Sequence, residues 1–169
     1  SKIPEVIEHK IAKQYNCSHC KLYTKCEANR LKPIGIGRLG ILIVGGEVSL
    51  AQENSNNSRQ GSHYLYLKRR LKEIGISIED DCYYVNAIRC YTTNDKHGVK
   101  TTTACASLLQ NDIKTLKPKV IMVTDELGWN ILMANRMSGT RAKGSLWDYQ
   151  GSIIPDQELK TWVAPMIAT

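Results

Sequence analysis

Four cysteines fall into two separated pairs, and this arrangement constrains the fold more than any other feature of the sequence. Cys17 and Cys20 form a Cys-x-x-Cys pair, whereas fourteen residues separate Cys90 from Cys105. Four thiolates can hold zinc or a 4Fe-4S cluster. Zinc ribbons usually pair two tight knuckles, so the wide second pair favours a 4Fe-4S cluster, with zinc as the alternative. We expect either centre to be structural.

Length, cysteine use and charge indicate one intracellular domain over residues 1–169. The chain has 42% hydrophobic residues and no run of 18 apolar residues, so no membrane segment is predicted. Six cysteines in a cytoplasmic protein favour metal ligation over disulfides, because the cytoplasm is reducing. Cys26 and Cys82 have no assigned ligand role and are expected to pack as small apolar side chains. The net charge of +7 favours a polyanionic partner such as DNA, and a merely basic surface is the alternative.

Apolar runs alternate with segments of helical spacing along the chain. Strands are predicted at 41–44, 83–88, 119–124 and 162–168, and helices at 3–15, 64–74, 101–116 and 127–133. The polar segment 47–62 is predicted to be a long surface loop. This alternation predicts an α/β fold, a three-layer α/β/α sandwich with a central, mainly parallel four-stranded sheet.

Functional residues of such a sheet lie at the carboxyl ends of its strands. The glycine turn at 45–47, Asn86 and the pair at 124–125 each follow or end a predicted strand. We therefore expect these residues to converge on one edge of the sheet, together with the end of the chain at Thr169.

An ordered set of short motifs resembles the iron-sulfur branch of the uracil-DNA glycosylase superfamily, of the family 4 and family 5 type. The resemblance covers nearly the whole chain. The matching motifs are Cys-x-x-Cys-x-Leu at 17–22, the glycine turn at 45–49, the strand asparagine followed by Arg-Cys at 86–90, the helix cysteine at 105, and Leu-Lys-Pro-Lys-Val-Ile at 116–121. The cysteines at 17, 20, 90 and 105 would then be the four cluster ligands.

The resemblance implies a pocket that receives a flipped-out uracil or damaged base. Asn86 would hydrogen-bond the edge of the base, and Gly45 and Gly46 would lie against it. The acidic position that activates water in the family falls on Gly46, so Glu47, one residue later, is the candidate for that role. Arg59 stands where the family has an aromatic residue that stacks on uracil.

The basic residues that we expect to contact DNA lie in the polar segment before the second predicted helix, in a cluster on that helix, and at the edge of the cysteine loop. They are Arg59, Lys68, Arg69, Arg70 and Arg89. The family's histidine motif after the fourth strand is not reached before Thr169, so either the chain is a fragment of a longer protein or the motif is absent.

Two functions remain open from the sequence. The first is a DNA glycosylase that hydrolyses the N-glycosidic bond of uracil or a damaged base. The second is a catalytically inactive, glycosylase-like DNA-binding module that serves a replication protein, as such domains do in viral replication machinery, or that belongs to a larger polypeptide. We expect a cytoplasmic protein, or one associated with the host nucleoid.

Overall fold

The computed structural model describes residues 17–93, 97–134 and 145–166. The predicted helix at 3–15 and the last residues of the predicted fourth strand lie outside these ranges. The strands are β1 Ile41–Gly45, β2 Cys82–Asn86, β3 Val120–Val123, β4 Ile154–Asp156 and β5 Thr161–Pro165. The α-helices are α1 Cys17–Cys20, α2 Leu50–Ser55, α3 Ser62–Glu73, α4 Ile78–Asp81, α5 Val99–Leu116, α6 Glu126–Met133 and α7 Leu146–Tyr149.

The strands form one sheet in the order β2-β1-β3-β5-β4. β1 pairs in parallel with both β2 and β3, β3 pairs in parallel with β5, and β4 is an antiparallel edge strand. The predicted α/β class and parallel sheet are confirmed, but the sheet has five strands rather than four. The additional strand, β4, has three residues and contains Pro155, so no apolar run marks it in the sequence. Proline is compatible with an edge strand because its missing N–H costs no hydrogen bond there.

The two faces of the sheet are covered by different helices, as the three-layer prediction requires. On one face, Leu42, Val44 and Val123 pack with residues of α5 and α6. On the other face, Ile43 and Tyr84 pack with residues of α3 and α4. Because side chains alternate along each strand, the alternating apolar residues of β1 supply both cores.

The segment 47–62 is not the long loop that its polar composition predicts. It contains α2 and a 3₁₀ helix, Ser58–Gln60. The Ser49 side chain accepts a hydrogen bond from the Gln52 backbone N–H, and the Gln52 side chain accepts one from the Ser49 N–H. This capping box starts a helix that polarity alone does not reveal.

The remaining predicted helices are confirmed. Tyr64, Leu67 and Leu71 form the buried face of α3, and α5 and α6 match the predicted segments within two residues at each end. Within the described ranges, no helix is both long enough and apolar enough to cross a lipid bilayer.

Candidate functional site

A pocket lies at the carboxyl ends of β1, β2 and β3, where the chain crosses from one side of β1 to the other. This is the position at which open α/β sheets bind ligands. We call it the edge pocket, and its volume is about 190 Å³. It is lined by Gly46, Glu47, Ser49, Gln52, Gly61, Ser62, His63, Tyr84 and Asp125. The expected convergence is therefore confirmed for the turn after β1 and for the residues after β3, whereas Thr169 lies outside the described residues.

The two glycines of the turn make room for neighbouring polar groups. A Cβ atom on Gly45 would lie 2.6 Å from the Tyr84 hydroxyl oxygen. A Cβ atom on Gly46 would lie 2.7 Å from Oδ1 of Asp125 and 2.9 Å from its Oδ2. Any side chain at either position would therefore displace the tyrosine hydroxyl or the aspartate carboxylate.

Asn86 organises the wall of the pocket rather than facing into it. Its residue is 1% exposed, and its Nδ2 donates hydrogen bonds to the Glu47 carbonyl (2.8 Å) and to Oε1 of Gln52 (3.0 Å). The Gln52 amide in turn donates to the Ser58 carbonyl at 2.7 Å. Both amide protons of Asn86 are therefore used in hydrogen bonds within the protein. The bond to the Glu47 carbonyl holds the backbone of the turn that carries Glu47.

Glu47 lies at the rim of the edge pocket. The Glu47 side chain is 53% exposed, and its Oε2 is 3.0 Å from Nε2 of His97, whose side chain is 6% exposed. The carboxylate therefore faces α5 and solvent as well as the pocket. Because Glu47 is exposed to solvent and already hydrogen-bonded to His97, it is a poorer water activator than a carboxylate with a free oxygen would be.

His63 is held neutral and in one tautomer. The Thr124 hydroxyl donates its only proton to the Val44 carbonyl at 3.0 Å, so it must accept the hydrogen bond that joins it to Nε2 of His63 at 2.8 Å. Nε2 therefore carries the proton, and Nδ1 is the acceptor. Burial lowers the pKa of His63, and the nearby Asp125 carboxylate raises it by a smaller amount.

Four of the residues that we expect to contact DNA, one before α3 and three within it, are exposed, and we call these four residues the basic row. Arg59 precedes the helix, and Lys68, Arg69 and Arg70 lie exposed along it. Lys68 forms an ion pair with Glu79, and Arg70 pairs with Glu73 at 2.8 Å. Arg69 forms no ion pair with any residue that the structure describes.

Arg89 is not available to DNA. It is 2% exposed, and its guanidinium donates to Oδ2 of Asp112 at 2.5 Å and to the Leu31 carbonyl at 3.3 Å. The prediction that Arg89 contacts DNA is therefore wrong, because its guanidinium is buried and bonded to Asp112 of α5. The position of Arg89 between the end of β2 and Cys90 in the sequence does not distinguish a buried arginine from a surface one.

The four cysteines predicted as ligands line a second pocket, which we call the cysteine pocket. Cys17 and Cys20 belong to α1, Cys90 follows β2, and Cys105 lies in α5. The volume of the cysteine pocket, on the same measure as that of the edge pocket, is about 10 Å³. As the side chains stand, no three cysteine, histidine or acidic residues of the described ranges are arranged to hold a metal ion. The four cysteines thus line one pocket, but their side chains are not in a metal-binding arrangement.

The cysteine pocket also contains a buried positive charge. Arg89 lines it, and the Nε atom of Arg89 is the buried polar side-chain atom that has no hydrogen-bond partner within the described part of the chain. An unpartnered N–H on a buried cation beside four thiols fits an anionic group with acceptor atoms. A thiolate-ligated iron-sulfur cluster has this character, and so does zinc bound by four thiolates, so the residues fit both.

The surroundings of Cys17, Cys90 and Cys105 favour their protonated form, because each has a raised pKa. Burial raises the pKa of Cys105 to about 11 and also raises the pKa of Cys17. A hydrogen bond with Cys26, together with burial, raises the pKa of Cys90. Because ligation requires thiolates, binding of a metal centre would release protons.

The two cysteines without a predicted ligand role differ in their surroundings. Cys82 is fully buried in β2, where burial raises its pKa to about 11, and it packs as an apolar side chain as expected. Cys26 is half-buried, donates to the Leu22 carbonyl at 3.4 Å and lies next to Cys90.

Comparison with known proteins gives no family for this chain: no protein-family model matches it, and no curated protein is significantly similar to it. Function is therefore inferred from the edge pocket, the cysteine pocket and the basic row on α3.

Gln52 and Tyr84 are among the residues of the edge pocket that were not predicted from the sequence. Gln52 could have been found from the spacing Ser-x-x-Gln at 49–52, which is the signature of a capping box. Tyr84 stands two residues before Asn86 on β2 and therefore lies on the same face of the sheet. Its hydroxyl reaches the pocket because Gly45 has no side chain.

Proposed function

We propose that this protein binds DNA, admits a single unpaired base into the edge pocket and hydrolyses the N-glycosidic bond of uracil or a damaged base. The observation that carries the proposal is the position and size of the pocket. Pockets for drug-sized ligands hold roughly 300–1,000 Å³. At about 190 Å³ the edge pocket suits one heterocyclic ring rather than a whole nucleotide, so the sugar and phosphates would remain at its mouth.

The surroundings of the pocket support a nucleic-acid ligand. The basic row starts at Arg59, directly before the residues Gly61, Ser62 and His63 that line the pocket. Phosphates bound along α3 would bring the adjacent nucleotide to the pocket mouth. An enzyme that acts on a base must take it out of the stack, because the reacting atoms are inaccessible inside a duplex.

The pocket presents polar groups suited to a base edge. The Tyr84 hydroxyl stays protonated because burial raises its pKa, so it can donate a hydrogen bond. The neutral ring of His63 offers Nδ1 as an acceptor. The Asp125 carboxylate supplies a negative charge near the position of the sugar.

The cysteine pocket is proposed to hold a structural 4Fe-4S cluster, with zinc as the alternative. Its ligands would be Cys17, Cys20, Cys90 and Cys105. Such a centre would link α1 to α5 and to the segment after β2. When bound, the cluster would supply conformational stability, and no part of the hydrolysis passes through it. Iron, acid-labile sulfide and zinc should be measured after anaerobic purification. Cys105→Ser should lower the bound metal and Cys82→Ala should not, whereas a metal-free preparation would contradict the proposal.

A glycosylase assay tests the proposed activity. Single-stranded and duplex oligonucleotides that carry one uracil or one damaged base are incubated with the protein and then treated with alkali, which cleaves abasic sites. Gly46→Ala should abolish cleavage, because the new methyl carbon would lie 2.7 Å from Oδ1 of Asp125. Gly98→Ala is the matched control, since nothing lies within 4 Å of the methyl group that it adds.

The second candidate function is DNA binding without base excision, within a replication protein or a larger polypeptide. Two observations favour it: the amide protons of Asn86 are used internally, and Glu47 is paired with His97 at the pocket rim. Salt-sensitive DNA binding in which no abasic site ever forms would support this module and overturn the enzymatic proposal.

A further inference from the structure

Asp125 contributes a carboxylate to the lining of the edge pocket. Its Oδ1 accepts a hydrogen bond from the Gly128 backbone N–H at 3.0 Å and so caps α6, which fixes the side chain. Its Oδ2 accepts no hydrogen bond from any residue in the described ranges. One carboxylate oxygen is therefore held by the protein, and the other is open to a ligand of the pocket.

The space that Asp125 occupies depends on Gly46. A Cβ at position 46 would lie between 2.7 and 2.9 Å from all three atoms of the carboxyl group. A side chain at position 46 and the Asp125 carboxylate therefore cannot occupy this space together. In this chain position 46 is glycine, and the carboxylate at this place in the pocket comes from Asp125, which follows β3.

The other carboxylate at the pocket is less suitable. Glu47 is 53% exposed at the rim, and its Oε2 is already hydrogen-bonded to Nε2 of His97 at 3.0 Å. The His63 imidazole lies near Asp125 but donates its Nε2 proton to the Thr124 hydroxyl, so it is not the hydrogen-bond partner of Oδ2.

We propose that Asp125, rather than Glu47, is the catalytic residue that positions and deprotonates the attacking water. This assignment rests on the proposed glycosylase function. The water oxygen forms a bond to C1′ of the sugar, and one water proton passes to Oδ2 of Asp125. The C1′–N bond breaks, and its electron pair leaves with the base, which takes a proton from solvent. The products are the free base and an abasic sugar, and the proton on Asp125 is then lost to solvent.

The negative charge of Asp125 should also affect binding, which can be measured without base excision. The sugar acquires positive charge as the glycosidic bond breaks, as in other glycoside hydrolyses. A carboxylate beside C1′ stabilises that charge, so the pocket should prefer an abasic-site analogue with a cationic pyrrolidine ring over the neutral tetrahydrofuran analogue.

Asp125→Asn tests the assignment. Asparagine caps helices as well as aspartate does, so α6 should remain capped and the melting temperature should change little. The rate of base excision should fall by about a hundredfold or more, which is the usual contribution of a general base. Asp148→Asn is the matched control: Asp148 accepts the Ser145 N–H at 2.7 Å at the start of α7, outside the edge pocket, and this variant should retain full activity.

Affinity for the two abasic-site analogues is measured with the same proteins at one salt concentration. We expect the wild type to prefer the pyrrolidine duplex by about tenfold and Asp125→Asn to lose this preference. Excision that persists in Asp125→Asn, or an equal pyrrolidine preference in both proteins, would overturn the assignment and leave the proposed function standing. Absence of DNA binding by the wild type would overturn both.

Discussion

Removal of Asp112 should destabilise the protein strongly, because it leaves the buried charge of Arg89 without a carboxylate. The Arg89 side chain is 3% exposed and that of Asp112 is 18% exposed. Loss of one partner of a buried pair costs about 3–5 kcal/mol. Since Asp112 is partly exposed and the Leu31 carbonyl still accepts from Arg89, we expect Asp112→Ala to cost about 3 kcal/mol, at the lower end of that range.

Urea denaturation and thermal melting measure this cost. For a domain of this size each kcal/mol corresponds to roughly 2–4 °C, so the melting temperature of Asp112→Ala should fall by about 6–12 °C. The control is Glu73→Ala, which breaks the exposed pair with Arg70 and should change the free energy of unfolding by less than about 1 kcal/mol. Asp112→Asn should fall between the two, because it keeps an acceptor oxygen and loses the charge.

Equal stability of Asp112→Ala and Glu73→Ala would refute the reasoning. That result would mean that Arg89 reaches solvent and is not a buried cation beside the cysteine pocket. The inference that the pocket suits an anionic metal centre would then lose its electrostatic support.

Three further predictions follow from the site. Gln52→Leu should lower the free energy of unfolding by about 1–3 kcal/mol in urea titrations, because Asn86 and the Ser58 carbonyl lose their buried partner. Burial lowers the pKa of His63 in the folded protein, so below pH 6.5 the unfolded chain binds more protons than the folded chain. The free energy of unfolding should therefore decline as the pH falls below 6.5, and this decline should be smaller in His63→Gln. Arg69→Ala should reduce the slope of log binding constant against log salt by about one on duplex DNA and leave uracil excision otherwise intact.

The sheet and the position of the edge pocket could be predicted from the sequence because they depend on hydrophobic periodicity. Apolar runs mark β1, β2, β3 and β5, and parallel pairing then brings their carboxyl ends together. β4 has no such run, and α2 is concealed by polar residues whose side chains cap its first turn. Both depend on local hydrogen bonding or on edge position rather than on periodicity.

The roles of individual polar residues were harder to predict than their location. The sequence places Asn86 and Glu47 at the correct edge, but their hydrogen bonds depend on residues far away in the chain, Gln52 and His97. The burial of Arg89 likewise depends on Asp112 in α5. Tertiary contacts of this kind leave no spacing signal, so the donor, acceptor and charge partners emerge only from the structure.

Photocrosslinking tests most directly whether the edge pocket receives a base from DNA. An oligonucleotide that contains one 5-iodouracil is bound and irradiated, and the crosslinked peptide is identified by mass spectrometry. The account predicts attachment at Tyr84 or His63, reduced in Gly46→Ala and unchanged in Gly98→Ala. Crosslinks confined to residues outside the edge pocket, or unaffected by Gly46→Ala, would contradict it.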